Sequence, residues 1–187
     1  ITKVHKVNSP NYLFIDLLLK KNKPKEFTIK FYEGKKNVLE YNYELFKRQI
    51  TNDKKETLNS ADVIYLITPD RYANGDEKND EIDLLLEKPN RKNKDGRHGG
   101  DLQGIINNLD YIEDMGFTQI WLNPVLENNQ PDYSYHGYST TDYYKIDSRF
   151  GSNKLYQDLS QEARNRNIGL IKDLVLNHIG SGHWWMN

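Results

Sequence analysis

Two short stretches concentrate side chains with chemical potential, and a third supplies a wall of aromatic rings. In NGDEKND, Asn74, Asp76, Asn79 and Asp80 present oxygen-bearing side chains within seven residues around Gly75. Such a loop can wrap a hard cation, since Ca2+ takes about six to eight oxygens in tolerant geometry. It departs from the helix–loop–helix cation pattern, and its other reading is an ordinary Asn/Asp turn cluster. Asp101, just after Gly99 and Gly100, could close the ligand set from a distance. In KDLVLNH, Asp173, Asn177 and His178 gather at the end of an apolar run. His178 could ligate a metal, move a proton or hydrogen-bond a substrate, while Asp173 could equally satisfy buried groups. In a regular strand Asp173 and His178 point to opposite sides, so they cannot be assumed to form one dyad. The stretch PDYSYHGYSTTDYYKID is rich in Tyr, with His, Asp and Gly. Those rings could line a sugar site or simply pin a long loop. His136, His178 and His183 have no HExxH spacing to fix them around one ion, so scattered packing and polar roles are the simpler reading.

The elements that must position these residues fall into two grammars. Residues 1–56 read as strands: NYLFIDLLL, EFTIKFYEG and KNVLEYNYELF are rich in aromatic and branched residues, with turn chemistry in KKNKPK and EGKK. Three or four strands leave one apolar face with little to cover it, so this reads as the later strands of a sandwich. The polar segment TNDKKETLNS then links to a second part, placed at 57–187. There DVIYLITP, TQIWLNP and IGLIKDLVLNH read as apolar strands covered on both faces. Between them, LQGIINNLDYIEDMGF carries Leu102, Ile105, Ile106, Leu109, Ile112 and Met115 at helical spacing, with Gly116 placed to stop the helix. NKLYQDLSQEARNRN places Leu155, Leu159 and Ala163 on one helical face. Strand, helix, strand, helix, strand is the pattern of a parallel sheet, opening either a doubly wound fold or a barrel. No Gly-rich dinucleotide fingerprint follows the first strand, which weighs against the former. The two long insertions, about residues 70–101 and 125–152, leave the carboxyl ends of strands, where such folds bind ligands.

Composition narrows the classes. The hydrophobic fraction of 36% includes enough large apolar residues for a folded core. The absence of cysteine excludes disulfides and thiolate metal sites. The net charge of −1 hides an asymmetry: residues 1–60 hold 13 Lys or Arg against 7 Asp or Glu, and the remainder 13 against 20. Neither part has the basic and stacking pattern of a nucleic-acid module. No segment is long and apolar enough to span a membrane, and the first residues do not resemble a signal peptide.

Taken in order, VIYLITPDRYANGDEKND, GRHGGDLQGIINNLDYIEDMGFTQIWLNPVLEN, YSYHGYSTTDYYKIDSRFG and IKDLVLNH resemble the α-amylase superfamily, glycoside hydrolase family 13. More narrowly they look like its cyclomaltodextrinase and neopullulanase group, in particular enzymes of Bacteroides-type bacteria. The resemblance implies a multidomain β plus α/β chain: residues 1–56 as the last strands of an immunoglobulin-like β-sandwich, and 57–187 as the first three strands and two helices of a (β/α)8 barrel. It implies that His178 donates a hydrogen bond to a glucose beside the scissile bond and that Tyr138 stacks on the same sugar. Asp173 and Asn177 would shape the strand end. Asn74, Asp76, Asn79, Asp80, the Gly99 carbonyl and Asp101 would bind Ca2+, with Glu77 standing where the group usually has proline.

The implied reaction is retaining hydrolysis of α-1,4-glucosidic bonds in maltooligosaccharides, cyclodextrins or pullulan. That chemistry needs two carboxyl groups about 5 Å apart, which the family places after its fourth and fifth strands, with a further aspartate after the seventh. The chain is therefore expected to hold no catalytic acid and to be inactive alone, as part of a longer enzyme. The alternatives are a non-catalytic carbohydrate-binding protein and an orphan structural fragment that associates with itself through uncovered strand edges. A periplasmic or secreted bacterial protein is expected, with the cytoplasm left open.

Overall fold

A computed structural model describes residues 3–6, 8, 13–18, 25–46 and 58–186. The chain divides into two compact units, Ile1–Lys54 and Lys55–Asn187. Most of the TNDKKETLNS linker and nearly all of the KKNKPK turn lie outside the described residues.

In the first unit, β1 (Lys3–Lys6) pairs antiparallel with β2 (Leu13–Asp16), and β3 (Lys25–Glu33) with β4 (Lys36–Leu45), as two separate two-stranded sheets. The β3–β4 turn rests on Gly34 and Lys35. Period-two alternation sorts this ladder into two faces. Phe27, Ile29 and Phe31 oppose Tyr43, Tyr41 and Leu39, while the other face pairs Thr28 with Asn42 and Lys30 with Glu40. Leu39 and Tyr41 on the apolar side are exposed, so these two hairpins do not by themselves bury the face that a sandwich would cover.

The second unit is built on a parallel sheet in the order β5 (Ile64–Ile67), β6 (Gln119–Leu122) and β9 (Gly169–Lys172). A one-turn helix, α1 (Pro69–Tyr72), follows β5 directly. The crossover to β6 contains α2 (Leu102–Asn107) and α3 (Leu109–Asp114), and the crossover to β9 contains α4 (Asn153–Asn165). Between β6 and α4 the chain also forms a small antiparallel pair, β7 (Leu126–Glu127) and β8 (Asp142–Ile146), where the sequence reads only as loop.

The helices are delimited by local chemistry. Asp101 caps α2 by accepting from the Gly104 amide, and Ser152 caps α4 by accepting from Leu155. At the end of α3, Gly116 takes φ +80°, with Gly116 N–H bonded to Glu113 O (2.8 Å) and Phe117 N–H to Ile112 O (3.4 Å). The end of α4 repeats this: Asn167 takes φ +58°, Asn167 N–H bonds Arg164 O (2.9 Å) and Ile168 N–H bonds Ala163 O (2.9 Å). Both are Schellman terminations, each with an apolar residue just beyond the left-handed one. Each turns the chain straight into the next strand.

Three expectations need correction. The first long helix is two, because Asn108 leaves helical geometry (φ −112°, ψ 13°) and its side chain donates back to Gly104 O (2.7 Å). Met115, expected on the buried stripe, is 57% exposed since it occupies the terminating turn. The strands are not covered on both faces: Tyr65, Ile67, Ile120 and Leu122 join the core with Leu102, Ile105, Leu109, Ile112, Leu159 and Ala163, whereas Ile64, Leu66 and Trp121 stay exposed. Among the described residues of this chain, the helices gather against one side of the sheet.

The core is accordingly one-sided, and its best-buried positions carry it. Replacing Leu159, fully buried, by alanine is expected to lower stability by about 2–5 kcal/mol. Met115→Ala should stay within about 0.5 kcal/mol. Urea denaturation midpoints with unchanged slopes would check the contrast.

Candidate functional site

The paired part of β9 ends at Lys172, earlier than IGLIKDLVLNH suggests, because its partner β6 ends at Leu122 and runs into Asn123 and Pro124. Asp173 to His178 therefore leave the sheet without regular structure, with a bend at Asn177, and the alternation argument separating Asp173 from His178 does not apply. Tyr138, from the insertion after β6, joins the two. Its hydroxyl donates to Asp173 Oδ2 (3.0 Å), and its backbone carbonyl accepts from His178 Nε2 (2.8 Å). Trp121 on β6 also donates to Asp173 Oδ2 through Nε1 (3.3 Å). Burial, then the Asp173 carboxylate, push the Tyr138 phenol above its ordinary value, so it stays a neutral donor.

A carbonyl only accepts, so the His178 nitrogen facing Tyr138 carries the proton. In the neutral ring, Nδ1 then remains as an acceptor. The resemblance implies a hydrogen bond from this ring to glucose, and Nδ1 is the nitrogen that Tyr138 does not engage. Asn177 sits on an exposed bend beside this group. His136 supports the loop differently: its Nδ1 accepts from the Tyr138 amide (2.9 Å), and burial pulls its pKa below the ordinary value.

The NGDEKND loop folds around Asp101. Asp101 Oδ1 accepts from Gly75 N (3.1 Å) and Gly104 N (2.6 Å), and Oδ2 from Asp76 N (2.9 Å) and Asn79 Nδ2 (3.1 Å). Four donors fill its lone-pair sites, so Asp101, expected among the Ca2+ ligands, organises the loop. Asp76 caps a short 3-10 turn, Glu77–Asn79, by accepting from Lys78 N (3.2 Å). Asn74 Nδ2 donates to Asp80 Oδ1 (2.7 Å). Gly99 has φ +88° and lies so close to the Asp80 carboxylate that a Cβ there would meet Oδ1 at 2.5 Å.

Two observations test this loop against a cation. Asn74 Oδ1 and Asn79 Oδ1 are buried acceptors without a hydrogen-bond partner. Burial is also the largest influence on Asp80 and raises its pKa, leaving an anion in want of positive charge beyond Arg91 at 3.6 Å. Among the described residues no group of three His, Cys, Asp or Glu gathers to hold a metal. The donors are hence amide, carbonyl and carboxylate oxygens, a set that fits Ca2+ and not a transition metal.

A third constellation was missed by the sequence reading. Arg149 grips Asp147 with two parallel bonds, Nε to Oδ1 (2.9 Å) and Nη2 to Oδ2 (2.8 Å), and both side chains are buried. Its remaining donors reach Glu87 O (2.9 Å) and Asn128 O (3.0 Å), one in each long insertion. Arg97, equally buried, reaches Ser134 Oγ (3.3 Å) and lies over the Phe150 ring. Asp70 is also buried, accepting from His98 N and Gly99 N and paired with Arg71. The available signal was the Asp-x-Arg spacing in DSRFG, whose short reach allows a bidentate grip.

Comparison with known proteins settles the family. The model of the alpha amylase catalytic domain matches residues 66–187. The chain belongs to the alpha-amylase family. A second model, the cyclomaltodextrinase N-terminal domain, matches residues 1–49 of this alpha-amylase-family chain. It is 41% identical over 120 residues to a cyclomaltodextrinase of Thermoanaerobacter pseudethanolicus, covering 63% of this chain and 20% of that protein. Among solved structures, an Anoxybacillus alpha-amylase is 43% identical with a TM-score of 0.60, over 67% of this chain and 26% of that one. An alpha-amylase of Geobacillus thermoleovorans complexed with acarbose is 39% identical with a TM-score of 0.54, over 67% and 25%. The chain spans between 10% and 26% of the length of the first curated relatives it matches.

Burial alone would push the Asp147 carboxyl up, but the Arg149 guanidinium bonded to it, aided by Arg97, holds it below its ordinary 3.8. A depressed folded value means its stabilisation is complete above the unfolded value and is lost as pH falls through the folded one. Arg149→Ala should cost about 3–5 kcal/mol at neutral pH by leaving Asp147 buried and uncompensated. As pH falls the gap to the unaltered chain should begin to narrow above 3.8, because without Arg149 burial pushes the Asp147 carboxyl up and protonation removes that charge, as urea midpoints across pH would show.

Proposed function

We propose that the protein carrying this chain hydrolyses α-1,4-glucosidic bonds of α-glucans with retention, and that this chain supplies one sugar-contacting wall of its site. The observation that carries the reading is the meeting of Tyr138, Asp173 and His178 at the exits of parallel strands, in a chain of the alpha-amylase family. The Tyr138 ring offers a sugar an apolar face, and His178 Nδ1 offers a hydroxyl an acceptor. Asp173 is spent on holding: one of its oxygens takes both Tyr138 and Trp121. It is therefore not read as a nucleophile, and the two carboxyls that retention needs about 5 Å apart are assigned to parts of the enzyme beyond this chain. On the same reading the three parallel strands open a (β/α)8 barrel, and the hairpins belong to an immunoglobulin-like sandwich.

Maltoheptaose separates the possibilities. The longer protein should release reducing sugar with retained anomeric configuration, while the 187-residue chain alone should give no turnover above a blank. Inactivity of the former, or turnover by the latter, would sink the proposal. Tyr138→Ala in the longer protein should weaken glucan binding at least tenfold, about 1.4 kcal/mol.

We further propose that Asn74, Asn79, Asp80 and the Gly99 carbonyl, with Asp76 at the rim, hold Ca2+. The support is the pair of buried, partnerless amide oxygens beside a desolvated carboxylate. Such an ion would tie the first insertion to the start of α2 through Asp101. Adding Ca2+ to chelator-treated protein at a hundred times its dissociation constant should stabilise by about 2.7 kcal/mol. Asp80→Asn should abolish that gain and slightly stabilise the calcium-free chain, because the raised pKa shows that ionised Asp80 opposes folding at neutral pH. Paired thermal melts, with and without Ca2+, would decide.

A further inference from the structure

We infer that Tyr143 is a positioning residue that sets the height of His178, through a single phenolic proton shared by two carbonyls. The Tyr143 hydroxyl, on β8, lies 2.8 Å from Val175 O and 2.9 Å from His178 O. A phenol donates one proton, so this is a three-centre bond gripping both ends of a four-residue segment.

The segment needs such a grip. In this chain the described pairing of β9 ends at Lys172, and from Val175 to Ile179 the described backbone makes no backbone–backbone hydrogen bond before Gly180 N–H reaches Thr140 O (2.8 Å). Leu174 and Leu176 are exposed in this chain and add no packing within it. Tyr143 itself is fixed: its ring packs against the core and lies beside His183 and Trp185, with centroids 5.9 and 6.4 Å away. The chain of support runs from the core through the Tyr143 ring to the His178 carbonyl. From there it passes to the imidazole, whose Nε2–H meets Tyr138 O. Loss of the hydroxyl would free the segment to shift, and the His178 ring would lose its register on Tyr138.

This inference rests on the sugar-contacting role proposed for His178, and the test keeps the two apart. In the 15N-labelled 187-residue chain, the His178 side chain should show one tautomer, with Nε2 protonated. Tyr143→Phe, which keeps the ring packing, should average the two tautomers at His178 while leaving the His136 signals unchanged. Incorporating 4-aminophenylalanine at 143, whose amine can donate to both carbonyls, should restore the single tautomer. In the longer protein, Tyr143→Phe should weaken maltoheptaose binding about tenfold, and the same change in a His178→Ala background should cost less than about twofold. A His178 spectrum untouched by Tyr143→Phe, or an undiminished effect in the His178→Ala background, would overturn the inference. If the unaltered longer protein binds no maltoheptaose, the glucan reading fails, and the nitrogen spectra still decide whether Tyr143 positions His178.

Discussion

The bidentate pair of Arg149 and Asp147 holds together what the secondary structure leaves loose. Both long insertions leave the same end of the parallel sheet, and neither contains enough regular structure to order itself. Arg149 satisfies one carbonyl from each, Glu87 and Asn128, while Asp147 takes the Asn128 amide as well as the guanidinium. Glu87 in turn accepts from the Ser134 amide (2.6 Å), and Ser134 accepts from Arg97. A buried charge is costly unless its partner and hydrogen bonds are in place together. The Arg149–Asp147 pair meets that condition by bonding both insertions at once, and this fixes where the tyrosine loop stands.

The site follows from this anchoring. The loop carrying Tyr138 can reach over Asp173 and His178 only because its two flanks are pinned, by Arg149 on one side and by the β7–β8 pair on the other. The sheet contributes less than its strand count implies: β5, β6 and β9 are each four residues long, and the polar residues lie past their ends. Helices lie on one face, with Ile64, Leu66 and Trp121 open on the other. Trp121 links that open face to the site, since its indole N–H is one of the two donors on Asp173. The NGDEKND loop obeys a related logic. Asp101 collects four donors and shapes the turn, and that leaves the amide oxygens of Asn74 and Asn79 facing inward without partners.

The amino-acid sequence by itself determined what depends on neighbours within a few residues. The parallel strands, α4 with its buried Leu159 and Ala163, the end of the first crossover at Gly116 and the concentration of oxygen-bearing side chains at NGDEKND were all legible, because period and turn chemistry are local. Family membership was legible too, since it lies in the order of motifs. What local reasoning missed was decided by contacts over tens of residues. The break at Asn108 depends on a side chain turning back onto Gly104, in competition with an otherwise good helical stripe. The four-donor setting of Asp101 depends on Gly75 and Asp76, more than twenty residues earlier. The bringing together of Asp173 and His178, which alternation sends apart, required β9 to lose its partner and Tyr138, 35 residues away from Asp173, to bridge them. Periodicity describes which face a residue takes while a strand lasts. Where the ladder stops, and which distant hydroxyl or guanidinium then takes hold of the chain, only the tertiary structure decides, because the hydrogen bonds concerned have no sequence-local partner.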